Sequence, residues 1–152
     1  MKNITFVCLG NICRSPMAEA IFARLAGERG VLSLFNVRSF ATSSYEVGNP
    51  VYPPAASALR RHGITDFTHF SRQLTAKDVA SSDCVLVMDG MNLADVTALA
   101  MEEDRGKIRL LGSYLHPPRE IVDPYYTRDF ERAWSDICSA CAALLDSLLQ
   151  EK

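Results

Sequence analysis

Asn3-Ile-Thr-Phe-Val-Cys8-Leu9-Gly10-Asn11-Ile12-Cys13-Arg14-Ser15-Pro16-Met17 is the stretch from which the fold of this chain is read. Its first six residues are short, β-branched and aromatic, and they stop at a Gly-Asn turn signal, the pattern of a strand. A helix follows at once: Ser15-Pro16 offers an N-cap and a proline for the first turn, and Met17, Ala20, Ile21 and Leu25 recur at helical spacing until Gly27 and Gly30. The unit is therefore strand, tight loop, helix.

The same alternation continues. Phe35 to Phe40, Cys84 to Met88 and Ile108 to Leu111 have the composition of buried strands. Ala55 to His62 and Asn92 to Met101 are expected as helices, as is a last segment presenting Trp134, Ile137, Cys138, Cys141, Leu145 and Leu148 on one face. Alternation of this kind predicts an α/β fold of three layers, a four-stranded parallel sheet with helices on both faces, and ligands beyond the carboxyl ends of the strands. The irregular stretches Thr42 to Pro54 and Gly112 to Arg128 are candidate pocket walls.

With 152 residues, 48% of them apolar, the chain is expected to form a single soluble domain over residues 1–152 that needs no disulfide or metal staple. A formal charge of −2 leaves no basic footprint for nucleic acid or an anionic membrane. No signal peptide or membrane span is expected, and five cysteines without a secretory segment suit a reducing cytoplasm.

The chemistry is concentrated in Cys8-x5-Arg14-Ser15. Chance supplies about 0.4 Cys-x5-Arg pairs in such a composition and about 0.03 with the serine. The loop leaves a strand and enters a helix, so its backbone N–H groups can converge on an anion. Arg14 adds a planar cationic fork suited to phosphate oxygens, and a cysteine beside such a field is favoured as the thiolate nucleophile. Phosphate monoesters also need an acid for the leaving oxygen, and Asp123-Pro124-Tyr125-Tyr126 offers one with two rings beside it. Asp89 either orients Arg14 or caps the helix that follows. Cys138-x-x-Cys141 falls on an apolar helix face and is read as core, as is Cys84. The run Glu102-Glu103-Asp104 is read as a solvated helix end.

These residues resemble the low-molecular-weight protein tyrosine phosphatases over essentially the whole chain. The resemblance implies Cys8 as nucleophile, Arg14 as phosphate clamp, and Asp123 as general acid and then base, with no metal and no cofactor. It implies that Leu9, Gly10, Asn11, Ile12, Cys13 and Ser15 form the phosphate-binding loop, supported by Ser39, His69 and Glu19, and that Tyr45, Tyr125 and Tyr126 line the substrate slot with Leu9 and Ile12. It further implies phosphotyrosine proteins as partners, a tyrosine kinase acting on Tyr125 or Tyr126, and a Cys8–Cys13 redox pair for which plain packing is the alternative. A monomer is expected, a weak dimer being the other possibility.

One segment departs from the family pattern: Arg38-Ser39-Phe40-Ala41-Thr42 stands where the family usually has Asp-Ser-Ala-Gly-Thr, so the packing around Ser39 is expected to differ. Two rival functions share the loop. An arsenate reductase needs two further relay cysteines, which the expected positions lack, and a noncatalytic phosphate- or phosphotyrosine-binding module needs neither Cys8 nor Asp123.

Overall fold

In the computed structural model, which describes residues 1–151, four strands form one parallel sheet. β1 (Lys2–Cys8), β2 (Phe35–Ala41), β3 (Cys84–Val87) and β4 (Ile108–Leu110) lie in the order β2-β1-β3-β4. Because the chain goes from β1 outward to β2 and then returns past β1 to β3, the order reverses between β1 and β3. A parallel sheet opens a crevice at such a switch point, beyond the carboxyl ends of the strands. Cys8 ends β1 there and Asp89 follows β3.

Strand residues alternate between two cores, as a two-residue period requires. Ile4, Phe6, Cys8, Leu86 and Met88 face α1 (Arg14–Glu28), α2 (Pro53–Arg61) and, after the later elements, α6 (Phe130–Gln150), through Met17, Ile21, Phe22, Leu59, Ile137 and Leu144. Val7, Phe40, Val85 and Val87 face the other way, against Val79 of α3 (Ala76–Ala80) and Val96 of α4 (Gly90–Leu99). The expected three-layer arrangement is thus present. Each fully buried Phe or Leu contributes about 2 kcal/mol by leaving water, so the two cores together, rather than any surface pair, hold the sheet between its helices.

Helix boundaries follow local chemistry. Pro53-Pro54 opens α2 earlier than periodicity suggests, and Gly63 follows it at φ 92°. Asp89 accepts from the Asn92 N–H and Asp129 from the Arg132 N–H, capping α4 and α6. Ser15 is not a cap: α1 starts at Arg14 after Cys13, and the Ser15 hydroxyl is turned inward. The five-residue α3 was not expected; Thr75 and Asp78 form a capping box at its start. Asp104 is buried within a 3-10 turn and pairs with Lys107 at 2.8 Å, so only Glu102 and Glu103 of that acidic run are solvated.

The segment before the short α5 (Pro124–Thr127) is fastened to the sheet end. Ile121 N–H donates to Met88 O at 2.9 Å, and Gly112 O accepts from Arg119 N–H at 3.1 Å. A Cβ on Gly112 would stand 1.6 Å from Arg119 O, a contact with backbone that no side-chain rotation relieves. Gly112→Ala is therefore expected to lower stability by about 3 kcal/mol or more, measured as the urea midpoint. An unchanged midpoint would show that residues 119–123 shift freely.

Candidate active site

The loop from Cys8 to Ser15 is shaped by where its carbonyls go. Cys8 O accepts from Thr42 N–H at 2.9 Å and Leu9 O from Ser43 N–H at 3.1 Å. Gly10 O accepts from the Ser71 hydroxyl at 2.8 Å, Ile12 O from Tyr52 N–H at 2.8 Å, and Cys13 O from Met17 N–H at 3.0 Å. With five carbonyls so engaged, main-chain N–H groups of the loop are left available to an anion, an arrangement that suits an anion nest. Asn11 N–H, for one, donates to Cys8 Sγ at 3.3 Å.

Asn11 makes this possible at a backbone φ of 57°, a left-handed conformation that asparagine tolerates better than most residues. Its side chain is wholly buried, so every polar atom must find a partner. Arg72 N–H donates to Oδ1 at 3.2 Å, which settles which end of the amide is oxygen. His69 Nε2, 2.7 Å from the same Oδ1, must then carry its hydrogen. The two hydrogens of Nδ2 go to Ser15 Oγ at 2.8 Å and Ser39 Oγ at 3.1 Å. Both serines accept from Asn11, so their own hydrogens point onward: Ser39 to Glu19 Oε1 at 2.7 Å, and Ser15 to Cys8 Sγ at 3.0 Å, nearer than its other acceptor, Phe40 O, at 3.5 Å. The proton order of the network ends on the sulfur.

Arg14 is 3% exposed and is held from behind. Its Nη1 donates to Asp89 Oδ2 at 2.8 Å and to Ile121 O at 2.9 Å, and its Nη2 lies 3.4 Å from Asp123 Oδ2. Burial works against the charge on Arg14, but Cys8, Asp123 and Asp89 outweigh it and hold the guanidinium above its ordinary value. Asp89 therefore does both things that the sequence left open, with one oxygen on Arg14 and the other on the α4 N-terminus. Asp123 caps α5 through Tyr125 N–H at 3.0 Å while facing Arg14.

A cavity of about 220 Å³ opens over this floor, bounded by the loop residues Cys8 to Arg14, by Ser43, Tyr45 and Glu46, and by Asp123, Tyr125 and Tyr126. Tyr45, 89% exposed, stands at its rim. The model of the family described as "Low molecular weight phosphotyrosine protein phosphatase" matches residues 3–152. The human protein of that name is 42% identical over 151 residues, spanning 95% of this chain and 94% of that protein. The chain belongs to this family.

Solved structures share the architecture. The crystal structure of YfkJ from Bacillus subtilis, 36% identical, superposes with a TM-score of 0.95 over 100% of this chain and 97% of that one. Vibrio vulnificus Wzb in complex with benzylphosphonate, 28% identical, gives 0.84 over 96% and 98%. In this member of the family, every residue singled out from the sequence as loop, support or slot lies in or against the one site.

The unusual Arg38 and Phe40 leave Ser39 in the network. Phe40 packs in the α3/α4 core with the Arg72 guanidinium 4.3 Å and that of Arg38 5.4 Å from its ring centre. Arg38 is anchored by Thr5, Ser81, Ser82 and the carbonyl of Asp78. The altered pair thus forms a stack in which Arg72 also donates to Ser39 O at 3.2 Å. Sequence reasoning missed Arg72, Ser71, Ser43 and Glu46; the last two fall in the loop already marked as a pocket wall.

His69 Nδ1 lies 3.8 Å from Glu19 Oε1, but the two do not form a charged pair near neutral pH. Burial, reinforced by Arg72, lowers His69 to about 4, while burial raises Glu19 against the opposing effects of Ser39 and Arg72. In the folded protein His69 stays neutral down to about pH 4, whereas the unfolded chain takes up its proton near 6.5, so this group's contribution to stability falls as pH drops through that interval. His69→Gln keeps an N–H donor for Asn11 and removes the titration. The stability deficit of the variant relative to the natural chain is expected to shrink by about 2 kcal/mol between pH 7 and pH 5 in urea unfolding. A deficit constant with pH would mean that His69 takes up its proton over the same pH range folded as unfolded.

Proposed function

We propose that the protein is a metal-independent protein tyrosine phosphatase that hydrolyses phosphotyrosine monoesters through a cysteinyl-phosphate on Cys8, with Arg14 as clamp and Asp123 as acid and base. The observation that carries this reading is the convergence of Cys8 Sγ, which accepts from the Asn11 N–H, with Arg14 and Asp123 on one cavity. A phosphoryl group in the loop meets positive charge from the N–H groups and Arg14, the part that a metal plays in other phosphoryl-transfer sites. It takes over the Arg14 Nη2 now shared with Asp123, leaving that carboxyl to face the leaving oxygen. Cys8 attacks phosphorus in line while Asp123 gives its proton to the phenolic oxygen. Water then gives a proton to Asp123 and attacks phosphorus, and the thiolate departs toward the Ser15 hydroxyl.

The slot suits an aromatic ester. Leu9, Ile12, Tyr45, Tyr125 and Tyr126 offer apolar and aromatic walls above the polar floor. The benzylphosphonate bound by Wzb, a phenyl ring one carbon from a phosphonate, has the shape this reading requires. The domain is taken as residues 1–152, of which Lys152 lies outside the described residues. Phosphotyrosine proteins are its partners in the cytoplasm, in dephosphorylation-based signalling, and it acts as a monomer. A tyrosine kinase acting on the exposed Tyr125 and Tyr126 is a further partner. The thiol arrangement disfavours arsenate reduction: Cys84 pairs across the sheet with Ile4, four residues from Cys8 and so roughly 13 Å along the strand, and burial pushes its thiol up to about 11.

Hydrolysis of para-nitrophenyl phosphate in EDTA is expected for the natural chain, blocked by vanadate and reduced more than a thousandfold in Cys8→Ser. Activity that survives in Cys8→Ser would refute the covalent route. Asp123→Ala is expected to slow phenyl phosphate by about 10² to 10³ and the nitrophenyl ester far less, since a good leaving group needs little acid. Equal slowing of both would remove Asp123 from the acid role.

A further inference from the structure

Arg128 lies just outside the aromatic wall of the site, at the end of α5, and it is an odd residue to find there. Its backbone has φ 64°, ψ 10°, a left-handed helix end that glycine or asparagine adopts without penalty. An arginine pays about 1 kcal/mol for it. The side chain is nevertheless held in one place: its guanidinium lies 5.4 Å from the Tyr52 ring centre and 5.6 Å from that of Phe130. Nη1 donates to the Tyr52 hydroxyl at 3.0 Å and to Tyr125 O at 3.3 Å.

Tyr52 in turn packs against Tyr125, ring centres 5.2 Å apart and planes tilted by 51°, and Tyr125 lines the active-site cavity. Arg128 is thus fixed through two rings to the edge of the slot. Among the described residues no carboxylate oxygen comes within 4.0 Å of its guanidinium, and Nη2 and Nε make no hydrogen bond. Its charge does reach the loop, where it is one of the groups that favour an anion at Cys13, although burial dominates there.

Arg128 also lines a groove of about 500 Å³, which it shares with Pro53, Pro54, Arg61 and Phe130. The acids of that groove are already engaged. Glu131 is bonded by Arg61 and His62, each at 2.7 Å, and Asp129 caps α6 through Arg132 N–H at 3.0 Å. Arg128 is the cation left over. The opposite condition holds on another wall of the slot, where Glu46 bonds Asn49 at 2.6 Å and, among the described residues, has no cationic partner.

We propose that Arg128 is a specificity-determining residue that receives an acidic side chain flanking the phosphotyrosine of a peptide substrate, the peptide leaving the slot over Tyr125 toward the Pro53–Phe130 groove. This rests on the phosphatase function argued above. A phosphotyrosine seated on Cys8 brings its backbone to the rim, and each further residue advances about 3.3 Å, so a carboxylate one to three residues away spans the Tyr125 and Tyr52 rings. The fixed guanidinium meets it with two unused N–H edges and loses little side-chain freedom on binding.

The test compares kcat/KM for two phosphotyrosine peptides of equal length, one with Glu and one with Gln at the three positions on each side. The natural chain is expected to favour the Glu peptide about fivefold, as a single exposed but ordered charge pair supports, with the preference fading in 0.5 M NaCl. Arg128→Gln is expected to bring the ratio to about one, and Arg128→Lys to keep most of it. A ratio near one in the natural chain, or an Arg128→Gln variant that slows both peptides equally and keeps their ratio, would overturn the assignment. Para-nitrophenyl phosphate separates the two levels: its turnover alongside a flat peptide ratio removes only Arg128's role. Absence of all turnover removes the phosphatase reading and this proposal with it.

Discussion

The buried amide of Asn11 is the point on which the site depends. Its oxygen is claimed by the Arg72 N–H and His69, and its nitrogen by two serine oxygens. The serine hydroxyls and the imidazole could turn to suit a flipped amide, but the Arg72 N–H can only donate, and facing it with the amide nitrogen would leave a buried group unpaired at about 1–3 kcal/mol. One orientation therefore dominates. That orientation dictates the tautomer of His69, the direction of both hydroxyls and the hydrogen offered to Cys8, while the same residue's left-handed backbone turns the loop. Shape and proton order have a common origin.

Much of this was legible in the sequence, and what escaped did so for definable reasons. The four strands and the longer helices announced themselves because each buries a periodic face large enough to leave a pattern. Cys8, Arg14, Ser15 and Asp123 were legible because their chemistry is unusual at that spacing. The order β2-β1-β3-β4 was not, since buried strands look alike whichever neighbours they have. The donors that draw the loop carbonyls outward were also silent: Thr42, Ser43 and Tyr52 act there through main-chain N–H groups, which any residue but proline supplies. Helix α3 was missed because five residues are too few for a periodic face, although Thr75-x-x-Asp78 marks its start.

Arg38 and Phe40 show how a departure in sequence can preserve a position in space. Phe40 adds volume on the α3/α4 side of β2, and two guanidinium groups cover it rather than expose it. Ser39 points to the opposite face, as alternation along a strand requires, and so keeps its place beside Asn11. The change is absorbed on the face that does no chemistry. Arg72 links the two sides, since its guanidinium rests on Phe40 while its main chain fixes the Asn11 amide.

The outward-tied carbonyls divide the labour of recognition between main chain and side chains. In the proposed mechanism a tetrahedral anion is held by Arg14 and by peptide groups that any residue but proline carries, so that hold depends on the fold and one side chain rather than on the identities of Leu9, Ile12 or Cys13. Those side chains are consequently at liberty to drift. A lineage built on this scaffold can retune which aromatic alcohol it accepts, residue by residue, while its grip on the phosphorus end remains constant, and selectivity evolves without first dismantling catalysis.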